Sequence, residues 1–199
     1  MVPAGEYSVE LVAVEDGLWR SLTEPVSFQV ETLDQATFRV EDPLAAYDFL
    51  MDVERLRGAV NGAGRSLAEA RDQIGVLRRA ASATPGDDSE VMATLRVLEL
   101  RLDELDRTLN GDRVLPSLQR PAPVSISSRI SSVAYRLRGQ SGGPSEDDRA
   151  AYADAAAAFE PVLGELRQIL EQDLAGLRER LEAAGAPWTP GRLPAWTRD

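Results

Sequence analysis

Carboxylates are the most abundant side chains here with a catalytic repertoire, and Glu99, Asp103, Glu104 and Asp106 fall close together in the sequence. Two carboxylates about 5 to 10 Å apart across a cleft are what glycoside hydrolysis uses, one donating a proton and the other serving as base or nucleophile. These four, however, lie off the apolar face of a helical repeat, where solvated charge is the simpler account. The alternatives are few, because the chain has 33 acidic and 22 basic residues, all of the basic ones arginine, and contains no Lys, His or Cys. That excludes imidazole and thiol chemistry, Schiff-base lysines and the lysine-dependent phosphate loop. A di-metal carboxylate site in a bundle requires inward Glu with Glu-x-x-His and fails for the same reason. The residues therefore point to no catalytic group, no metal ligand set and no cofactor.

Three further groups of residues bear on binding. Arg113, Arg120, Arg129, Arg136 and Arg138 give residues 111–144 a local charge of +4 inside a chain whose net charge is −11. They form either an anion site or, preferably, the counterpart of the acidic segments around them. Gly58, Gly62, Gly64 and Gly75 sit in a helical pattern, where each costs about 1 kcal/mol against Ala. Close approach of another element explains them better than a ligand notch. The tail from residue 186 holds Trp188 and Trp196 among prolines, as either a polyproline ligand or an apolar segment folded back on the bundle.

The elements that would position these groups follow from periodicity. In Glu6 to Leu11 the apolar Tyr7, Val9 and Leu11 alternate with polar residues, and Val26, Phe28 and Val30 repeat the period of two. Asp16-Gly17 between them is a turn signal, so a hairpin-like pair is expected. A lone pair exposes an apolar face and two edges. The partner-facing set is thus Tyr7, Val9, Leu11, Val26, Phe28 and Val30, covered either by the chain's own helices or by strands from elsewhere, with Trp188 and Trp196 as further contact residues.

From Asp42-Pro43, an N-cap with proline at the first helical position, the period changes. Ala46, Phe49, Val53, Leu56, Val60, Ala63, Leu67, Ala70, Ile74, Leu77 and Ala81 recur at alternating spacings of 3 and 4. Val91, Leu95, Leu98, Leu102, Leu105 and Leu109 form a second helix up to Asn110-Gly111, with Asp87 and Glu90 as its capping box. After the prolines 116, 121 and 123, Ile126, Ile130, Val133 and Leu137 mark a shorter helix. Ser145 and Asp148 cap a last long one through Tyr152, Ala156, Phe159, Leu163, Leu166 and Leu170, which slips by one residue to Leu174, Leu177, Leu181 and Ala184. Such a slip is a stutter, and Pro161 within this helix predicts a kink. Asp103 with Arg107 and Arg167 with Glu171 have the spacing of outward helix pairs.

The fold class is therefore mainly α: an elongated antiparallel bundle of two long and two shorter helices over residues 42–185. It is preceded by a short strand pair (1–41) and followed by a Pro/Trp-rich tail (186–199). Acidity argues against nucleic acid and anionic lipid, and no apolar run is long enough for membrane insertion or shaped like a signal peptide.

The order of these parts resembles a known arrangement. Residues 3–11 (Pro-Ala-Gly-Glu-Tyr-Ser-Val-Glu-Leu), the strand 26–30, the helix opening at Asp42-Pro43, residues 145–152 (Ser-Glu-Asp-Asp-Arg-Ala-Ala-Tyr) and residues 172–177 (Gln-Asp-Leu-Ala-Gly-Leu) look like the C-terminal region of bacterial sortilin-like (BNR-repeat) β-propeller proteins, often labelled glycosyl hydrolases. The resemblance implies that residues 1–41 are the last strands of an Ig-like sandwich, that the parent is extracytoplasmic, and that any active site lies in the propeller. The Asp-box of such propellers (Ser-x-Asp-x-Gly-x-x-Trp) is absent, so no catalytic residue carries over. The leading expectation is a non-catalytic accessory or interaction module of a larger propeller-containing protein, with upstream domains or a second copy as partner. The alternatives are a glycoside hydrolase or peptidase-like fragment contributing to a cleft formed with the propeller, and a free-standing coiled-coil adaptor.

Overall fold

The computed structural model describes residues 4–31, 40–84, 86, 89–139 and 142–186. Strands β1 (Gly5–Val9), β2 (Val12–Glu15), β3 (Leu18–Ser21) and β4 (Val26–Val30) come first, followed by helices α1 (Pro43–Ser82), α2 (Ser89–Asn110), the single turn α3 (Val114–Ser117), α4 (Ile126–Gly139), α5 (Glu146–Gln168) and α6 (Leu174–Ala183). A π-helical segment, Ile169–Asp173, joins α5 to α6 without a break. The chain is thus mainly helical, with the strands ahead of the helices.

Capping follows local chemistry. The Asp42 carboxylate accepts from the Ala45 N–H at 3.0 Å and Pro43 opens α1, so the missing proline N–H leaves nothing unsatisfied. Ser145 and Asp148 close a reciprocal capping box at the start of α5. The Asp87 half of the box expected for α2 lies outside the described residues.

Cross-helix ion pairs fix the directions. Arg78 of α1 faces Glu99 of α2, and Arg71 faces Asp103 and Asp106, so α2 runs antiparallel to α1. Arg138 of α4 meets Glu54 near the start of α1. Hence α4 continues in the direction of α2. Arg101 meets Glu165 and Asp173, Arg180 meets Glu90, and Arg136 meets Asp148, so α5 and α6 return parallel to α1. The result is three rods: α1 is one, α2 followed by α4 is the second, and α5 through α6 is the third. At 1.5 Å per residue, α1 with 40 residues is about 60 Å long. The middle rod is split by the proline-containing crossover, whose ends are drawn together where Gly111, at φ 95°, leaves α2. A Cβ there would lie 3.5 Å from that of Ser125, the residue before α4.

The core is the heptad face of all three rods. Phe49, Val53, Val60, Ala63, Leu67, Ala70, Ile74 and Leu77 of α1 are buried, as are Leu95, Leu98, Leu102, Leu105 and Leu109 of α2 and Ile126, Ile130 and Val133 of α4. On the third rod the pattern departs from expectation. Val162 and Ile169 are buried where Leu163 and Leu170 were expected, so the buried series runs 159, 162, 166, 169, 174, 177, 181. The one step of five is the π turn, which absorbs the extra residue without turning the apolar face away from the core. Helix α5 continues through Pro161, whose ring is on the exposed side.

The helix glycines do not serve close packing as expected. A Cβ at Gly58 or Gly62 would have no neighbour within 4 Å, and at Gly64 and Gly75 it would meet only side-chain atoms at ordinary contact distances. Replacing Gly58 and Gly62 by Ala should therefore stabilise the helix by about 1 kcal/mol each and raise Tm by roughly 2 to 4 °C per site. Thermal melts followed by circular dichroism measure this; a fall in Tm would mean that another surface covers that side of α1.

Candidate functional site

The strands form one ribbon in two stretches. The tip is a two-residue turn, with Asp16 at φ 52° and Gly17 at φ 78°, the left-handed pair that matches the twist of a hairpin. It sets Glu15 opposite Leu18, Val14 opposite Trp19 and Val12 opposite Ser21. Beyond it, β1 and β4 pair with Val9 opposite Val26, Tyr7 opposite Phe28 and Gly5 opposite Val30. Two residues link β1 to β2 while four link β3 to β4, so the ribbon is bulged between its stretches. Pro25 has no N–H to continue the ladder. The bulge is stitched where Leu22 N–H donates to the Leu11 carbonyl at 2.8 Å and the Leu11 N–H donates to the Thr23 hydroxyl oxygen at 3.3 Å.

The expected contact residues Tyr7, Val9, Val26, Phe28 and Val30 thus come together on one face, since residues directly opposite in a pair share a face. Tyr7 and Phe28 stack with ring centroids 6.1 Å apart. Leu11 lies in the bulge. No residue of the ribbon is buried: Tyr7 and Val30 are half-buried, whereas Phe28 is 48 % exposed, Val9 and Leu11 60 %, and Val26 64 %. Periodicity left out the tip, where Val14, Leu18 and Trp19 are exposed too, Trp19 at 76 %. The Asp16-Gly17 turn carries the signal for them, because a two-residue turn fixes residue 14 opposite 19. Trp188 and Trp196 lie outside the described residues.

The other candidates resolve into structure. Asp103 and Asp106 grip Arg71 at 2.8 and 3.0 Å, Glu99 pairs with Arg78 at 2.5 Å, and Glu104 with Arg107 at 2.8 Å. Asp103 therefore reaches across to α1 instead of pairing with Arg107. Burial works to raise the Asp106 pKa, but hydrogen bonds from Asn110 and Arg71 outweigh it and hold the carboxyl below its ordinary range. Asp112 is likewise lowered, by the N–H groups of Leu115 and Val114. Asp148 is lowered too: the Ser145 hydroxyl and Arg136 overcome its burial. A general acid needs the opposite shift. Of the basic stretch, Arg129 pairs with Asp154, Arg136 with Asp148 and Arg138 with Glu54, so these three complement acidic partners.

A shallow groove of about 540 Å³ lies between Thr94 of α2 and Gln172, Gly176 and Ala183 near the π segment. Two of its charged residues are engaged, Asp173 with Arg101 and Arg180 with Glu90. The Arg101 guanidinium is pushed above its ordinary pKa because bonds to Glu165 and Asp173 outweigh its partial desolvation. Among the described residues no cluster of three or more acidic groups is placed to hold a metal ion, and no helix is long and apolar enough to cross a membrane. No family model, curated protein or solved structure matches the chain.

Proposed function

We propose that the chain is a non-catalytic interaction module whose β ribbon docks against strands supplied by another part of a larger protein. The observation that carries this reading is the exposure of the ribbon's apolar face beside a bundle that has buried its own. Exposed apolar surface contiguous along a strand pair is a liability for a free-standing protein and an asset for one that completes a sheet. The resemblance to the C-terminal region of sortilin-like propeller proteins favours a sandwich as the larger unit and an upstream propeller as the neighbour. The pairing of Glu99, Asp103, Glu104 and Asp106 with arginines supports a structural role for these four carboxylates.

Two measurements test the reading. The double variant V26T/F28T should leave the main helical unfolding transition within about 0.5 kcal/mol of the parent, as for substitutions at exposed sites. A larger loss would mean that this face packs within the chain and is not held free for a partner. The isolated chain should also show no turnover of chromogenic glycosides or peptides; turnover abolished by a single carboxylate substitution would establish a hydrolase fragment instead.

A further inference from the structure

Resting on that reading, we infer that the strand supplied to the ribbon is an extended apolar segment flanked by arginine or lysine, and not a second copy of this chain. The warrant is the one-sided charge of the ribbon. Between residues 4 and 31 the ribbon carries Glu6, Glu10, Glu15, Asp16, Glu24 and Glu31 against a single cation, Arg20. These carboxylates lie along the whole ribbon, at its open end, in the bulge and at the tip. Glu6 stands opposite Gln29 on the reverse face from the Tyr7–Phe28 pair, Glu31 follows Val30, Glu10 and Glu24 lie in the bulge, and Glu15 and Asp16 form the tip.

A symmetric dimer through the ribbon would bring together two strand pairs that each carry six carboxylates and one arginine. Like charges brought together at a desolvating contact oppose association strongly. A head-to-tail dimer would need a basic apolar surface elsewhere on the chain. The basic stretch supplies little of one, because Arg129, Arg136 and Arg138 are engaged with Asp154, Asp148 and Glu54. A foreign strand added at an edge extends the Val9, Val26 and Phe28 face with its alternating apolar residues, and cations at its polar positions share the reverse face with Glu6. Among the described residues each sheet has two strands, so addition at an edge is open to such a segment.

The test uses the full chain carrying W188F and W196F, so that Trp19 alone reports, and two synthetic peptides of about ten residues, a common strand length. One alternates Val or Phe with Arg, and its twin has Glu in place of Arg. The Arg peptide should shift Trp19 emission to the blue and bind at least about tenfold more tightly than the Glu twin, with the gap closing at roughly 0.5 M NaCl. In V26T/F28T its affinity should fall about tenfold; undiminished binding there would mean that net charge alone is being read, and would overturn the proposal. Equal binding of both peptides would overturn the basic-partner inference while leaving the docking reading intact. Binding of neither would take down both. Light scattering on the parent chain supplies the last arm: a dimer dispersed by Phe28→Glu would name a second copy as the occupant and refute the inference.

Discussion

Deleting Glu171 should leave a folded, cooperative bundle, whereas deleting Ala68 should unfold it. Both residues are exposed helix positions, so a view based on local propensity expects similar outcomes. The register of the core separates them. On the third rod the buried residues step by 3, 4 and 3 from Phe159 to Ile169, by 5 to Leu174, and by 3 and 4 to Leu181. Removing one residue from the π segment converts the 5 into a 4, which an ordinary α-helix satisfies. Asp173 keeps its place next to Leu174 and so its reach to Arg101. In α1 there is no surplus to remove. Deleting Ala68 rotates everything beyond it by about 100°, taking Ala70, Ile74 and Leu77 off the core and Arg71 and Arg78 away from their carboxylates on α2. Exposing Ile74 and Leu77 alone forfeits about 2 kcal/mol each, a large share of the ~5 to 15 kcal/mol that stabilises a typical domain. Urea titrations followed by circular dichroism read both variants. Equal damage from the two deletions would show that the π turn has a role other than correcting register.

The same segment shows how far periodicity reaches. The slip near residue 170 is visible in the sequence because Leu166 and Leu174 cannot both belong to an unbroken 3, 4 pattern with Leu170 between them. Which residues it buries is not visible, since Val162-Leu163 and Ile169-Leu170 each offer two adjacent apolar side chains. Only the decision to absorb the slip in a π turn selects Val162 and Ile169. Along α2 the spacing is unbroken, so every expected residue from Leu95 to Leu109 is buried even though Val97 stands beside Leu98. Ion pairs are less legible. Asp103 and Arg107 have a favourable spacing along one helix, yet the Arg71 guanidinium across the groove between helices serves two carboxylates at once, which one-dimensional spacing does not encode. The apolar face of the ribbon was legible from its alternation of two. Its freedom was not, because alternation specifies a face to be covered without specifying by what.

Asp148 is the one acidic side chain fully buried among the described residues, and Asp148→Ala should cost about 2 to 3 kcal/mol at neutral pH. The carboxylate does two jobs. It closes the capping box, accepting from the Ser145 N–H at 3.2 Å and the Ser145 hydroxyl at 2.8 Å, and it accepts from Arg136 Nε of α4 at 2.7 Å. Its loss removes a cap and a charged cross-helix bond together. Arg136→Ala should cost less, because Ser145 still satisfies the carboxylate and Arg136 is itself half-exposed. The pH dependence follows from the lowered pKa. Since the folded state holds the proton less tightly than an unfolded Asp of pKa about 3.9, the stabilisation is complete above that value. It drains away as pH falls from there toward the folded value. The parent should therefore lose stability below about pH 4 more steeply than Asp148→Asn, which keeps the shape but cannot titrate. Equal acid limbs in the two proteins, or an Asp148→Ala variant as stable as the parent, would mean that the α4 to α5 contact is held by Ile130, Val133 and Ala155 packing alone.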